Sequence, residues 1–183
     1  MMRRAFILAW PHLTALASVF FVSFVIFPGV ITDVGLKFMQ GMQNDDLRIG
    51  WTMLIYIFLF NLFDSVGRWL GGQPFGMLND FKLYVFSYSR VIFIATAFLV
   101  DYSVSPSWLF GYEADWFKLV NIILFAFTNG YCSTLCAIKA QSRAPEDSKE
   151  VVGTFVGIFI TGGIVLGSLV ALALSSLVKG NPK

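Results

Sequence analysis

The sequence predicts an all-α membrane protein with several spans, and three observations carry that prediction. Hydrophobic residues make up 57% of the 183-residue chain and charged residues only 13%, whereas soluble domains hold about 25% charged residues. The mean hydropathy is +0.73. Charge-free runs cover 5–32, 119–138 and 151–178, and each is long enough to cross a hydrocarbon core about 30 Å thick.

Two further apolar segments carry a few charges, so the sequence predicts five spans in one transmembrane domain over 1–183. Met1–Arg4 is positively charged and precedes an apolar run, as in a signal peptide. That run is longer than the apolar region of a signal peptide, so a retained membrane helix is predicted instead. The five predicted spans cover about 5–27, 50–71, 87–106, 117–138 and 151–178.

The distribution of Lys and Arg predicts a cytoplasmic N-terminus and an outer C-terminus, because cytoplasmic loops hold more positive charge. In that orientation eight of the 13 Lys and Arg residues lie on the cytoplasmic side, Arg90 among them, and five lie outside. The net charge is +2 and the basic residues are scattered at loop ends, which predicts no nucleic-acid partner.

Residue sets typical of enzymes and metal sites are absent from the sequence. There is no HExxH motif, no phosphate-binding glycine loop and no Ser/His/Asp set, and His12 is the single histidine. Cys132 and Cys136 are four residues apart in the fourth span, which predicts small packing residues rather than metal ligands. We therefore expect no enzyme activity, no cofactor and no bound metal.

The second span contains polar residues that are unusual inside a membrane. Asn61, Asp64 and Arg68 follow one another at helical spacing, so they share one face of the helix. Ionisable groups in a membrane mark functional sites by default, although a structural Asp64–Arg68 ion pair is the alternative. A carboxylate, a guanidinium and an amide suit the hydroxyls of a sugar and the edges of a heterocycle. We therefore predict a solute site.

The fourth and fifth spans contain small and polar residues typical of helix packing. An Asn in a membrane helix needs a hydrogen-bond partner on another helix, and glycines four residues apart allow close helix contact. Packing is the favoured interpretation for these residues, and the lining of a cavity is the alternative. The residues are Asn129, Gly130, Tyr131, Ser133, Gly153, Gly157, Gly163 and Gly167.

Several motifs resemble those of the equilibrative nucleoside transporter family, and they occur in the family's order. Residues 60–68, FNLFDSVGR, resemble its F-N-x-x-D-x-x-G-R signature. Residues 129–131, NGY, resemble the motif of its tenth helix, and residues 27–30, FPGV, the end of its seventh. Ser89-Arg90-Val91 is similar to the start of its ninth helix, and the Gly-rich last span to its eleventh.

The resemblance implies a major-facilitator-like fold of six plus five helices, of which this chain supplies the last five. It implies facilitative transport of nucleosides, or of nucleobases, by alternating access. Asp64 and Arg68 would bind the ribose hydroxyls, with Asn61 one helical turn away. The expected partners are a nucleoside substrate, the lipid bilayer and either the six-helix N-terminal half or a partner subunit.

Six helices of the family pattern are absent from this sequence, and their absence leaves alternatives open. The main one is a truncated protein that does not transport but associates with a full-length relative. Another is a homodimeric pore, although the charge bias of the loops disfavours insertion in two orientations. The plasma membrane is the expected location, with an organelle membrane also open, and proton coupling through Asp64 is undecided.

Overall fold

The computed structural model describes residues 2–27, 36–39, 41, 44–102 and 114–179, and within them the chain is helical without a strand. This confirms the all-α class. Short 3-10 helices lie at Lys37–Met39, Pro74–Gly76 and Glu146–Ser148. The α-helices are α1 (Met2–Ile26), α2 (Asp45–Gly71), α3 (Asp80–Ser89), α4 (Ile92–Tyr102), α5 (Asp115–Ser142) and α6 (Lys149–Lys179).

Four helices, α1, α2, α5 and α6, are long and apolar enough to cross a membrane. Their bounds lie within five residues of the first, second, fourth and fifth predicted spans. The third predicted span differs, because helix begins at Asp80 rather than at 87 and divides into α3 and α4. Residues 28–30 of the FPGV motif, residues 103–106 of the third span and residues 180–183 lie outside the described residues.

The junction between α3 and α4 is a tight turn at Arg90 and Val91. The Val91 amide donates to the Tyr88 carbonyl at 3.2 Å, and the Phe93 amide donates to the Arg90 carbonyl at 2.9 Å. These bonds join residues three apart, whereas an α-helix joins residues four apart. The chain therefore stays nearly continuous through the junction while the α-helical ladder is interrupted beside Arg90.

Helices α1 and α5 form the centre of the bundle. Helix α6 packs along α1, α2 packs along α5, and α3 and α4 contact both central helices. The buried side chains of α1 and α5 dominate the core, whereas few residues of α2 and α6 are buried. One apolar cluster joins α1, α3, α5 and α6, and a second joins α1, α2, α4 and α5.

Two glycines allow α2 and α5 to approach closely. A Cβ added at Gly130 would lie 1.9 Å from the Asp64 carbonyl oxygen, and one at Gly67 would lie 2.2 Å from that of Phe127. Side chains larger than hydrogen cannot occupy such positions without moving the helices apart. Small residues of this kind allow close contact between membrane helices.

The glycines of α6 divide into a packed pair and an unpacked pair. A Cβ at Gly163 or Gly167 would lie 2.5 Å from a carbonyl oxygen of α1, on Ala17 and Phe21 respectively. At Gly153 and Gly157, no atom of the described residues lies within 4 Å of an added Cβ. Gly153 and Gly157 thus make no close contact in the described residues, because Val152, Phe155 and Val156 face α1 at that level instead. Their predicted role in packing or cavity lining stays a prediction.

A cluster of charged and polar residues lies where α3 begins and α5 ends, beside His12 in the first half of α1. Asp80 accepts hydrogen bonds from Lys139 at 2.6 Å and from Arg143, and its carboxylate lies 3.6 Å from His12 Nε2. The hydrogen bond from Lys139 is the main cause that lowers the pKa of Asp80, which precedes the third predicted span. The Tyr84 hydroxyl lies 3.1 Å from His12 Nε2. This cluster connects three helices at the predicted cytoplasmic end.

Candidate functional site

Asp64 and Arg68 form an ion pair along α2. Arg68 Nε donates to Asp64 Oδ2 at 2.6 Å, and the two residues are four apart with the acid first, which is the favourable order. The Asp64 side chain is 13% exposed and that of Arg68 is 49% exposed. The pair therefore extends from the α2–α5 contact to an open face of the chain.

Asn129 on α5 binds the other oxygen of the Asp64 carboxylate. Its Nδ2 donates to Asp64 Oδ1 at 2.7 Å, across the contact that Gly67 and Gly130 make possible. Asn129 is buried, as an amide inside a helix bundle must be when its partners lie on neighbouring helices. The Asn129 oxygen faces α1, where Ser23 Oγ lies 2.6 Å from it. Asn129 therefore joins α5 to α1 and α2.

Arg90 is buried in the interior, with 1% of its surface exposed. Its guanidinium donates to Asn129 Oδ1 at 3.3 Å and to Ser23 Oγ at 3.0 Å. It also lies 3.5 Å from the Phe125 carbonyl oxygen and 5.1 Å from the centre of the Phe125 ring. The interpretation of Arg90 as a loop charge is wrong, because these polar partners and this ring replace water around it. Without Arg90 the predicted cytoplasmic side holds seven basic residues, against five.

The sequence nevertheless held a signal for this buried Arg90. Residues 83–100 contain no other charged residue, and Arg90 lies near the middle of that run. A span centred on this run would have placed the guanidinium deep in the membrane, where it needs polar partners. Neither Ser23 nor Arg90 was predicted as part of the site, because their contact with Asn129 joins segments far apart in the chain.

Asn61 lies on the exposed side of α2. Its Nδ2 donates to the Ile57 carbonyl of the same helix at 2.8 Å. Ser65, also exposed, donates to the Asn61 carbonyl at 2.7 Å. Asn61 and Arg68 therefore share the open face of α2, while Asp64 turns toward α5.

Tyr131 and Ser133 of the fourth span make structural contacts. The Tyr131 hydroxyl donates to the Gly76 carbonyl at 2.6 Å and so fixes the turn after α2. Ser133 donates to the Gly130 carbonyl of its own helix at 3.1 Å. Both residues are buried. No group of three or more His, Cys, Asp or Glu side chains suited to a metal ion occurs in the described part of the chain.

Comparison with known proteins assigns this chain to a family. A family model described as nucleoside transporter matches residues 2–176, nearly the whole chain. The chain belongs to the nucleoside transporter family. This member of the family, with its four described helices able to span a membrane, is an integral multi-pass membrane protein.

Named relatives of this chain come from animals and protozoa. Equilibrative nucleoside transporter 4 of Danio rerio is 26% identical over 91% of the chain, and Nucleoside transporter 1.2 of Leishmania donovani is 27% identical over 89%. Adenosine transporter 1 of Crithidia fasciculata is 27% identical over 88%. The chain spans only about 30% of the length of these relatives.

Proposed function

We propose that the protein carrying this sequence moves nucleosides across a membrane by facilitative transport, with Asp64 and Arg68 in contact with the substrate. The observation that carries the proposal is a charged pair on an apolar helix whose cation is half exposed. Charged side chains are rare within membrane helices, and those that occur usually mark a path for a substrate or an ion. Family membership and the names of the relatives support a nucleoside as the solute.

The unused hydrogen-bonding capacity of the Asp64–Arg68 pair suits a sugar diol. An ionised carboxylate has about four acceptor positions and a guanidinium five N–H donors. In the described residues Asn129 and Arg68 occupy one position on each Asp64 oxygen, and only Nε of Arg68 is engaged. Acceptors and donors therefore remain side by side, as the two adjacent hydroxyls of ribose require. Asn61 lies one turn along the same face.

This chain would form one side of the substrate pathway. Substrate sites of such transporters lie between two halves of the molecule, near the middle of the membrane. The exposed faces of α2 and α6 would accordingly contact further helices, either from the same protein or from a partner subunit. Polar Asn61 and Arg68, and the unpacked Gly153 and Gly157, lie on these two helices.

An uptake experiment tests the assigned roles. The full-length protein is expressed in cells without endogenous nucleoside uptake, beside Asp64→Ala and Arg68→Ala. Lys149→Ala is the matched control, because it removes a cation from an exposed helical ion pair elsewhere. We expect saturable uptake by the native protein and the control, and none by the two site variants at equal surface level. Native uptake in both site variants would exclude the assigned roles.

An immunoblot against the loop 139–150 tests the alternative of a truncated, non-transporting protein. A band at about three times the 20.4 kDa of this chain would match the length of the relatives and support transport by one polypeptide. A band at the mass of this chain would favour association with a partner. The short length relative to known transporters is the observation behind this alternative.

The same antibody tests membrane and orientation. We propose a plasma-membrane protein with a cytoplasmic N-terminus and an outer C-terminus, on the basis of the loop charges. Surface biotinylation should label the protein, and the antibody should stain cells only after permeabilisation. Staining of intact cells would contradict the proposed orientation and place the loop 139–150 outside the cell.

A further inference from the structure

We propose that Arg90 is a positioning residue that orients the Asn129 amide and, through it, the Asp64 carboxylate. This inference rests on the proposed role of Asp64 in substrate binding. Arg90 comes from the α3–α4 junction, Asn129 from α5 and Asp64 from α2, so three parts of the fold meet here. In this arrangement Arg90 itself does not contact the substrate.

The chemistry of the three groups permits only one orientation of the Asn129 amide. A guanidinium has donors and no acceptor, and an ionised carboxylate has acceptors and no donor. An amide between them must therefore present its oxygen to Arg90 and its NH₂ group to Asp64. The distances agree with this assignment, at 3.3 Å from Arg90 Nη1 to Oδ1 and 2.7 Å from Nδ2 to Asp64 Oδ1.

Ser23 of α1 completes the contact around the Asn129 oxygen. Its hydroxyl accepts from Arg90 Nη2 at 3.0 Å and lies 2.6 Å from Asn129 Oδ1. Two nitrogens of one planar guanidinium thus hold two oxygens on different helices. A lysine ammonium is a compact point charge without that fork, so it would not replace Arg90 here.

Burial makes the Arg90 contacts strong enough to determine the amide orientation. Arg90, Asn129 and Ser23 are each no more than 3% exposed, so water does not compete for their hydrogen bonds. The acceptors of Arg90 in the described residues are all uncharged, which distinguishes it from the ion pairs of Arg68 and Lys139. A guanidinium that did no more than neutralise an acid would contact the carboxylate directly.

The first test is a double-mutant cycle on nucleoside uptake by the full-length protein. Arg90→Gln and Arg90→Lys should each raise KM about tenfold, the scale of one lost hydrogen bond to a charged group. In an Asn129→Ala background, Arg90→Gln should add nothing further, because its effect passes through the amide. Full additivity, or an unchanged KM in the single variants, would overturn the proposal.

A second variant gives a readout that a structural role would not produce. Asn129→Asp replaces the NH₂ donor by a second carboxyl beside Asp64. One proton shared between the carboxyls restores a donor, whereas two ionised carboxylates repel each other. The charged and titratable groups around this position are Asp64 and Arg68 from α2, Arg90 from the α3–α4 junction and Cys132 of α5.

Uptake by Asn129→Asp, divided by native uptake, should therefore fall as pH rises from 5 to 8. A ratio that does not change with pH, including no uptake at any pH, would contradict the proposal. Should Arg90→Gln fail to reach the membrane, Ser23→Ala replaces it in the cycle. Ser23→Ala removes the hydroxyl that lies between Arg90 and the Asn129 oxygen.

Failure of this proposal and failure of the proposed function give different results. Asp64→Ala with native uptake would exclude the substrate site itself. Loss of uptake in Asp64→Ala would support the proposed substrate site. If the Arg90 and Ser23 variants then kept the native KM, only the positioning role of Arg90 would be excluded.

Discussion

Gly130 of α5 lies against the Asp64 carbonyl of α2, where an added Cβ would come within 1.9 Å of the oxygen. The neighbouring residue, Asn129, donates to the Asp64 side chain at 2.7 Å. The glycine thus sets the separation at which the Asn129–Asp64 bond is made. Helix packing and the proposed substrate site depend on the same few atoms.

Gly130→Ala should separate α2 from α5 and break the Asn129–Asp64 bond. Overpacking a tight contact costs about 1–3 kcal/mol, and contact with a backbone carbonyl leaves little room to adjust. We expect a lower melting temperature in detergent and loss of uptake. For the melting temperature of this chain, Gly157→Ala is the matched control, because an added Cβ there meets no described atom within 4 Å. Equal stability of Gly130→Ala and the native protein would contradict this packing.

The division of the α6 glycines gives a second prediction. Gly163→Ala places a methyl group 2.5 Å from the Ala17 carbonyl oxygen, so it should destabilise the α1–α6 pair by about 1–3 kcal/mol. Gly153→Ala, in open space, should leave the isolated chain unaffected. Thermal unfolding of both variants of this chain in detergent measures the difference. Destabilisation by Gly153→Ala alone would show that α6 packs through the face that carries Gly153 rather than the face that carries Gly163.

The charged cluster around Asp80 predicts a pH dependence of stability. The pKa of Asp80 is lowered in the folded protein, chiefly by the hydrogen bond from Lys139. A carboxyl with a lowered pKa stabilises the fold above its unfolded pKa, and the stabilisation is lost as pH falls through the folded value. The melting temperature should therefore fall with acidification below the ordinary aspartate value of 3.8.

Asp80→Asn should be less stable than the native chain at pH 6, and the difference should shrink at the most acidic pH. Glu146→Gln is the control, because the Glu146 carboxylate is 84% exposed in its ion pair with Lys149. Exposed pairs of that kind contribute little to stability. A constant difference between Asp80→Asn and the native chain at all pH values would exclude the ionised Asp80 as the cause.

Much of the fold could be predicted from the sequence because lipid imposes long apolar helices. The bounds of α1, α2, α5 and α6 follow from runs with few charges. Arg90 shows where that reasoning fails. A charge inside an apolar run shifts the predicted edge of a span, although a buried guanidinium is stable once Asn129 and Ser23 surround it.

The site was predictable in its parts but not in its connections. The spacing of Asp64 and Arg68 along one helix predicts their ion pair, since both belong to the same helical face. The bond from Asn129 to Asp64 depends on how α2 and α5 pack, which no local pattern specifies. The same holds for Gly153 and Gly163, which are alike in sequence pattern but differ in what contacts them.

Binding of a ribonucleoside and of its 2′,3′-dideoxy analogue by the purified full-length protein tests the central claim most directly. If Asp64 and Arg68 bind the ribose hydroxyls, the native protein should prefer the ribonucleoside by about tenfold or more. In Asp64→Ala the preference for the ribonucleoside should be much smaller, since the hydroxyls lose their acceptor and keep only the Arg68 donors. An undiminished preference in Asp64→Ala would contradict the account.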